Sequence, residues 1–212
     1  MMKPSKIVCV GRNYAAHAAE LNNPIPAEPL LFIKPPSSLA SLPNVAIPTQ
    51  QGACHHELEL AVQVGERLRR VTPQRALEAL CQVTLALDLT LRDVQDKLKQ
   101  QGQPWERAKA FDGACVLAPW LPITDSAALQ SATFELYCDA QLRQQGDAQQ
   151  MLLPIAELVA HISHVFTLEP GDIVLTGTPA GVGPLTVGQQ LDLHLHIAGQ
   201  SYQWQGQVQA ND

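Results

Sequence analysis

From Glu57 to Val64 the chain alternates without a break. Leu58, Leu60, Val62 and Val64 fall on one face, and Glu57, Glu59, Ala61 and Gln63 on the other. A period of two is that of a strand with one face against a core. Thr84 to Leu91 repeats it, setting Leu85, Leu87, Leu89 and Leu91 opposite Thr84, Ala86, Asp88 and Thr90. Shorter runs predict strands over Ile7–Val10, Phe134–Cys138, Gln141–Arg143, Asp172–Thr176, Gln190–Ile197 and Ser201–Val208. The second and third of these pair as a hairpin. Helices are expected at Tyr14–Leu21 with Asn13 as N-cap, and at Pro73–Cys81 with proline in the first turn. Two more are expected at Leu91–Gln101, stopped by Gly102 and Pro104, and at Pro154–Val165, ending before Pro170-Gly171. Residues Asn23 to Gln50 are proline-rich yet hold apolar runs such as Leu30-Leu31-Phe32-Ile33, which suits an ordered, winding segment. Strands cluster without regular βαβ alternation and nothing marks a boundary. The expectation is one α+β domain over residues 1–212.

Composition narrows the partners. The 212 residues are 46% hydrophobic and 16% charged, with a formal net charge of −6. No basic run could neutralise a row of phosphates, so nucleic acid is not expected as a partner. No apolar stretch approaches the roughly 20 residues of a bilayer span, and the start carries no signal-peptide pattern. A cytoplasmic protein with no membrane partner is expected. Five widely spaced cysteines without a Cys-x-x-Cys pair fit reduced thiols. Cys54-His55-His56 invites a zinc reading, but Leu60 stands where the second histidine of a zincin helix would be.

The candidate chemistry sits on the polar side of the alternating strands. Glu57 and Glu59 project from one face, where like charges repel unless a cation compensates, although a charged edge strand has the same pattern. Asp88 is the only acid in its apolar strand. It is either a third oxygen ligand or a cap for the next helix. Three such carboxylates would suit Mg²⁺, Mn²⁺ or Ca²⁺. Arg92 and Gln95 follow at i, i+3 on one helix face, placed to grip a substrate carboxylate or carbonyl. Lys109 lies in an apolar run, as an ion-pair partner or an electrophilic helper. His17 and Glu20, also at i, i+3, have the spacing of a general base and its orienting acid, or of an exposed helix face. The glycine-rich loop from Thr176 to Pro184 follows a strand but lacks a P-loop ending. Gly177 and its neighbours permit close backbone approach to an anion, with Thr178 as a donor. His161, His164, His194 and His196 show no acid at useful spacing and read as structural.

These residues together resemble the fumarylacetoacetate hydrolase family, in its short single-domain branch. The carrying runs are Gly11-Arg12-Asn13-Tyr14 with His17 and Glu20, His55 to Leu60, and Asp88 with Thr90, Arg92, Asp93 and Gln95. Lys109-Ala110-Phe111-Asp112 and Gly171 to Pro179, with Gly181-Val182-Gly183, complete the set. Relatives more often carry Ser, Pro and Lys where this chain has Ala110, Val116 and Glu66. The resemblance implies a mixed β-sandwich roll with short helices, assembled as a homodimer. It implies a metal on Glu57, Glu59 and Asp88, an acid–base dyad of His17 and Glu20, and substrate contacts from Lys109, Arg92, Gln95 and Thr178. Its substrates are small anionic 2-oxo acids. The first functional expectation is Mg²⁺-dependent cleavage of a C–C bond in acylpyruvates, or decarboxylation of oxaloacetate. The alternative is an isomerase or tautomerase that shifts a proton on a 2-hydroxy-diene dioate or on oxaloacetate and needs no attacking water. A non-catalytic carboxylate-binding protein is the third.

Overall fold

A computed structural model describes residues 3–21 and 24–211. Asn23, where the expected winding segment begins, lies outside them. The chain starts β1 (Ile7–Gly11), α1 (Ala15–Glu20), β2 (Leu30–Lys34), β3 (Leu39–Ser41), β4 (Asn44–Ile47), β5 (Cys54–His56) and β6 (Leu58–Val64). It continues α2 (Pro73–Glu78), β7 (Leu80–Asp88), β8 (Thr90–Leu91), α3 (Arg92–Gln100), α4 (Glu106–Lys109), β9 (Cys115–Leu117) and β10 (Leu121–Pro122). The hairpin β11 (Thr133–Cys138) and β12 (Gln141–Asp147) precedes α5 (Ile155–Val165). Then follow β13 (Ile173–Leu175), β14 (Gly183–Pro184), β15 (Gln190–Ile197) and β16 (Gln200–Ala210). Mixed sheets with a few short helices make this an α+β fold, as the pattern predicts.

The strands form three sheets. The central one runs β2-β1-β13-β6-β7-β9-β3, with β10 on the far end of β7. A second runs β12-β11-β15-β16-β4, and a small third runs β14-β5-β8. Hydrophobic burial holds them. Leu58, Leu60, Val62 and Val64 are fully buried in one large aliphatic cluster with Leu85 and Leu87. A smaller cluster (Ile7, Cys9, Ala61, Ala86, Cys115, Leu117, Ile173, Leu175) covers the opposite side. The strand predicted as half-buried is therefore buried on both faces by the two clusters, and β6 lies in mid-sheet between β13 and β7. That removes the charged-edge reading of Glu57 and Glu59.

Several boundaries differ from expectation; β12, expected over Gln141–Arg143, runs on to Asp147 because it stays paired with β11 to Thr133. The run Glu57–Val64 is broken at Glu57, where the chain leaves the small sheet and enters the central one. The run Thr84–Leu91 is likewise two strands, with β8 paired to β5. The second expected helix stops at Glu78, so Leu80 and Cys81 begin β7. Asn13 does not cap α1. Its side chain instead accepts from the Leu153 N–H (2.8 Å) and donates to the carbonyls of Thr176 (2.8 Å) and Leu153 (3.1 Å). Tyr14 stands at the N-cap with no side-chain hydrogen bond.

Candidate active site

Strand register sets the acidic cluster. Leu58 lies opposite Leu87 and Glu59 opposite Ala86, and the Asp88 N–H donates to the Glu57 carbonyl at 2.8 Å. Glu57, Glu59 and Asp88 therefore share one side of the β6–β7 pair. Their carboxylates converge, with one ligand oxygen of each within 4.8 Å of the others, and all three residues are buried. Asp88 does not cap α3, whose N-cap is Leu91.

Buried cations face these acids. Lys109 donates to Glu57 Oε2 and Asp88 Oδ2, both at 2.8 Å. Arg92 bonds Glu57 Oε1 and reaches Gln95 Oε1 at 2.7 Å, so the i, i+3 pair of α3 acts as one unit. Lys34 was not singled out from the sequence. It is fully buried, with Nζ 2.8 Å from Asp88 Oδ1 and hydrogen bonds to the carbonyls of Lys109 and Ala114. The Lys34–Asp88 approach is a charge contact without an aligned hydrogen bond, which leaves Asp88 Oδ1 a buried acceptor open to another partner.

Electrostatics divide the triad. Burial alone would push the Glu57 carboxyl up, but Lys109 and Arg92 override it and hold it well below the usual carboxylate range. Glu59 goes the other way: burial, then repulsion from Asp88 and Glu57, raises it well above normal. Burial opposes the charge on Lys109, yet Asp88 and Glu57 more than compensate and raise it. The Glu59 carboxylate accepts from the Gly177 N–H at 2.6 Å and forms no ion pair among the described residues. Gly177 has φ +98, and a Cβ there would stand 2.7 Å from the Asn13 Cβ, so the approach requires glycine.

The dyad is assembled. His17 Nδ1 lies 3.4 Å from Glu20 Oε2, while Glu20 Oε1 accepts from the Gly181 N–H at 3.0 Å. Glu20 thus ties α1 to the glycine-rich loop. His17 is buried, and that burial lowers its pKa below 6.5, against the raising effects of Glu57 and Glu20. His17, Glu57, Glu59, Asp88, Arg92 and Lys109 line one cavity, and Gln95 and Thr178 line it too.

Thr178 lines the cavity, whereas Gly177, expected beside it, spends its N–H on Glu59. The Thr178 hydroxyl donates to the Leu58 carbonyl (2.9 Å) and accepts from Gln144 Nε2 (2.7 Å). Gln144 is a second residue that sequence reasoning missed. Its Oε1 accepts from the Leu58 N–H (2.8 Å) and contacts His56 Nδ1 (2.9 Å), clamping the chain on both sides of Glu57. His194, expected to lack an acid, faces Glu135 across β11 and β15 at 3.8 Å.

The donor set fits a divalent ion. Three converging hard oxygens, one carboxylate with no cation of its own and one unaligned buried acceptor make a site for Mg²⁺, Mn²⁺ or Ca²⁺ rather than for a soft metal.

The model of the fumarylacetoacetate (FAA) hydrolase C-terminal family matches residues 6–209. The chain belongs to the fumarylacetoacetate hydrolase family. Oxaloacetate tautomerase YcgM of Escherichia coli (strain K12) is 49% identical over 189 residues, covering 88% of this chain and 86% of that protein. The mitochondrial oxaloacetate decarboxylase of Dictyostelium discoideum is 42% identical, covering 87% and 85%. Fumarylpyruvate hydrolase from Pseudomonas aeruginosa, solved with Mn²⁺ and pyruvate, superposes with a TM-score of 0.88 at 33% identity, covering 97% of this chain and 90% of that one. The protein is an enzyme of this family, and its fold is the family's. No helix among the described residues is long and apolar enough to cross a membrane.

Proposed function

We propose that the enzyme is a metal-dependent tautomerase of oxaloacetate, moving a proton between C3 and the 2-oxo oxygen. The observation that carries this reading is the buried His17 ring, whose pKa burial lowers, lining the same cavity as the Lys109 ammonium. The 49% identity to a protein named oxaloacetate tautomerase supports it over C–C bond hydrolysis, the first expectation from sequence.

The residues divide the work. With Glu20 accepting from Nδ1–H, Nε2 is left as the basic nitrogen of His17. It takes the C3 proton of the keto form. Negative charge then develops on the 2-oxo oxygen. An ammonium has three N–H donors, and Lys109 spends two on Glu57 and Asp88, leaving one for that oxygen. The imidazolium returns the proton to oxygen and the enol leaves, with the enzyme unchanged. Arg92 and Gln95 hold the adjacent carboxylate. A divalent ion on Glu57, Glu59 and Asp88 would supply a fixed positive charge and Lewis acidity beside the same oxygen. No water attacks, so none has to be positioned.

Enol absorbance and pyruvate release, followed together on oxaloacetate and on a panel of acylpyruvates, test the proposal. Faster keto–enol relaxation of oxaloacetate without pyruvate is the expected result. Pyruvate appearing in step with loss of enol signal would overturn it in favour of cleavage or decarboxylation.

A further inference from the structure

The metal site accounts for one end of the cavity. Its mouth carries a charge with no assigned task. Arg92, Gln95 and Lys99 fall at i, i+3 and i+7 on α3, which places them in one stripe along the helix. Arg92 and Gln95 are the deep members, both buried, and Lys99 is the outer one. At about 1.5 Å per residue, the stripe from Arg92 to Lys99 spans roughly 10 Å. Helical side chains lean toward the N-terminus, so the Lys99 stem is directed back along the stripe.

Lys99 lines the same cavity as the acidic triad. Its Nζ lies 5.8 Å from the centre of the Trp105 ring, which also lines it. Among the described residues its ion pair is with Asp96 at 3.4 Å, and the Asp96 side chain is 54% exposed. Such a pair is weak and screened. Burial lowers the Lys99 pKa, with Asp96 opposing and Arg92 and Arg12 adding repulsion. Arg12, Arg92 and Lys99 line the cavity together, an arrangement suited to an anion.

Formal charge counting points the same way. Glu57, Glu59 and Asp88 are matched by Lys34, Lys109 and Arg92. A divalent ion then adds two positive charges. Lys99 adds a third, so a monoanionic 2-oxo acid leaves two unmatched and a dianion leaves one.

We infer that Lys99 is the distal-carboxylate contact of this site, selecting 2-oxo diacids over 2-oxo acids with a neutral tail. This rests on the reading that a 2-oxo acid binds the metal end. Arg92 and Gln95 hold the near carboxylate, and Lys99, beside the Trp105 ring, meets the distal one at the open end.

The test compares oxaloacetate with 2-oxosuccinamate, which has the same size and a neutral amide in place of the distal carboxylate. Michaelis constants for enolisation and calorimetric affinities for the Mn²⁺-loaded protein are measured for wild type, Lys99→Met and Lys99→Arg. Methionine keeps most of the stem over Trp105 and removes the charge. Wild type should prefer the diacid. Lys99→Met should raise KM and Kd for oxaloacetate by about tenfold or more, the weight of a charge-assisted hydrogen bond. Values for 2-oxosuccinamate should stay unchanged, kcat should hold, and Lys99→Arg should restore diacid affinity. Equal losses on both ligands, or none on either, would overturn the assignment. If wild type turns over neither compound but binds the diacid through Lys99, the tautomerase reading falls and the subsite stands.

Discussion

The two faces of the β6–β7 pair are built from alternate residues of the same strands, yet they differ in size and polarity. One presents Leu58, Leu60, Val62, Val64, Leu85 and Leu87, all fully buried in the large aliphatic cluster. The other presents Glu59, Ala61, Gln63, Thr84, Ala86 and Asp88, equally buried but small or polar. Large side chains fill the first face. Small ones on the second leave room for Lys34 and Lys109 to reach the carboxylates. Placing the acids in mid-sheet denies them water, and that makes their cations effective. Stability and chemistry are thus one residue apart along the chain, and substitutions on the two faces should fail in different ways.

The largest expected difference follows from Asp88→Asn. It leaves the buried Lys34 and Lys109 charges under-compensated, at a cost of about 3–5 kcal/mol, and removes a metal ligand as well. Leu60→Ala on the opposite face should destabilise by about 2–5 kcal/mol through its cavity, while metal affinity per folded molecule stays normal. Urea unfolding and Mn²⁺ titration of both variants would check the contrast, and equal metal binding by Asp88→Asn would break it.

Divalent metal should stabilise only through the polar face. At about 100 times its dissociation constant it adds about 2.7 kcal/mol, which is about 5–10 °C in melting temperature for a domain this large. Melts with Mg²⁺ or Mn²⁺ against EDTA give the answer, and identical midpoints would count against the triad. Glu59→Gln should lose that response without destabilising the metal-free protein, because burial and then repulsion from Asp88 and Glu57 already disfavour a charge there.

Much of this contrast is legible in the sequence. The alternation over Glu57–Val64 and Thr84–Leu91 gives the strands and the shared face of the acids, and i, i+3 spacing gives both His17–Glu20 and Arg92–Gln95. What it hides depends on tertiary neighbours. Lys34 ends an apolar run, Leu30 to Ile33, and nothing local says that its ammonium is drawn inward by Asp88. Gln144 lies just past the strand expected over Gln141–Arg143, and only packing turns it toward Leu58 and Thr178. Asn13 has the composition of a cap, but three long-range hydrogen bonds outcompete that local role. The break at Glu57 is invisible because alternation continues while the sheet changes.

The smallest effect is on pH dependence. His17 must be neutral to accept a proton, so activity should be flat above its pKa and fall as pH drops through it. Because burial lowers that pKa, the acid limb should lie below 6.5. Glu20→Gln removes a raising influence, so its acid limb should move further down, and a limb moving up would show that Glu20 does not face the ring as described.

The central claim is that His17 moves the proton. Keto–enol exchange of oxaloacetate, measured for wild type and His17→Ala at saturating metal with metal affinity determined in parallel, tests it most directly. The account predicts a loss of roughly 10²–10⁴-fold in exchange rate with metal affinity unchanged. An exchange rate equal to that of wild type would contradict it.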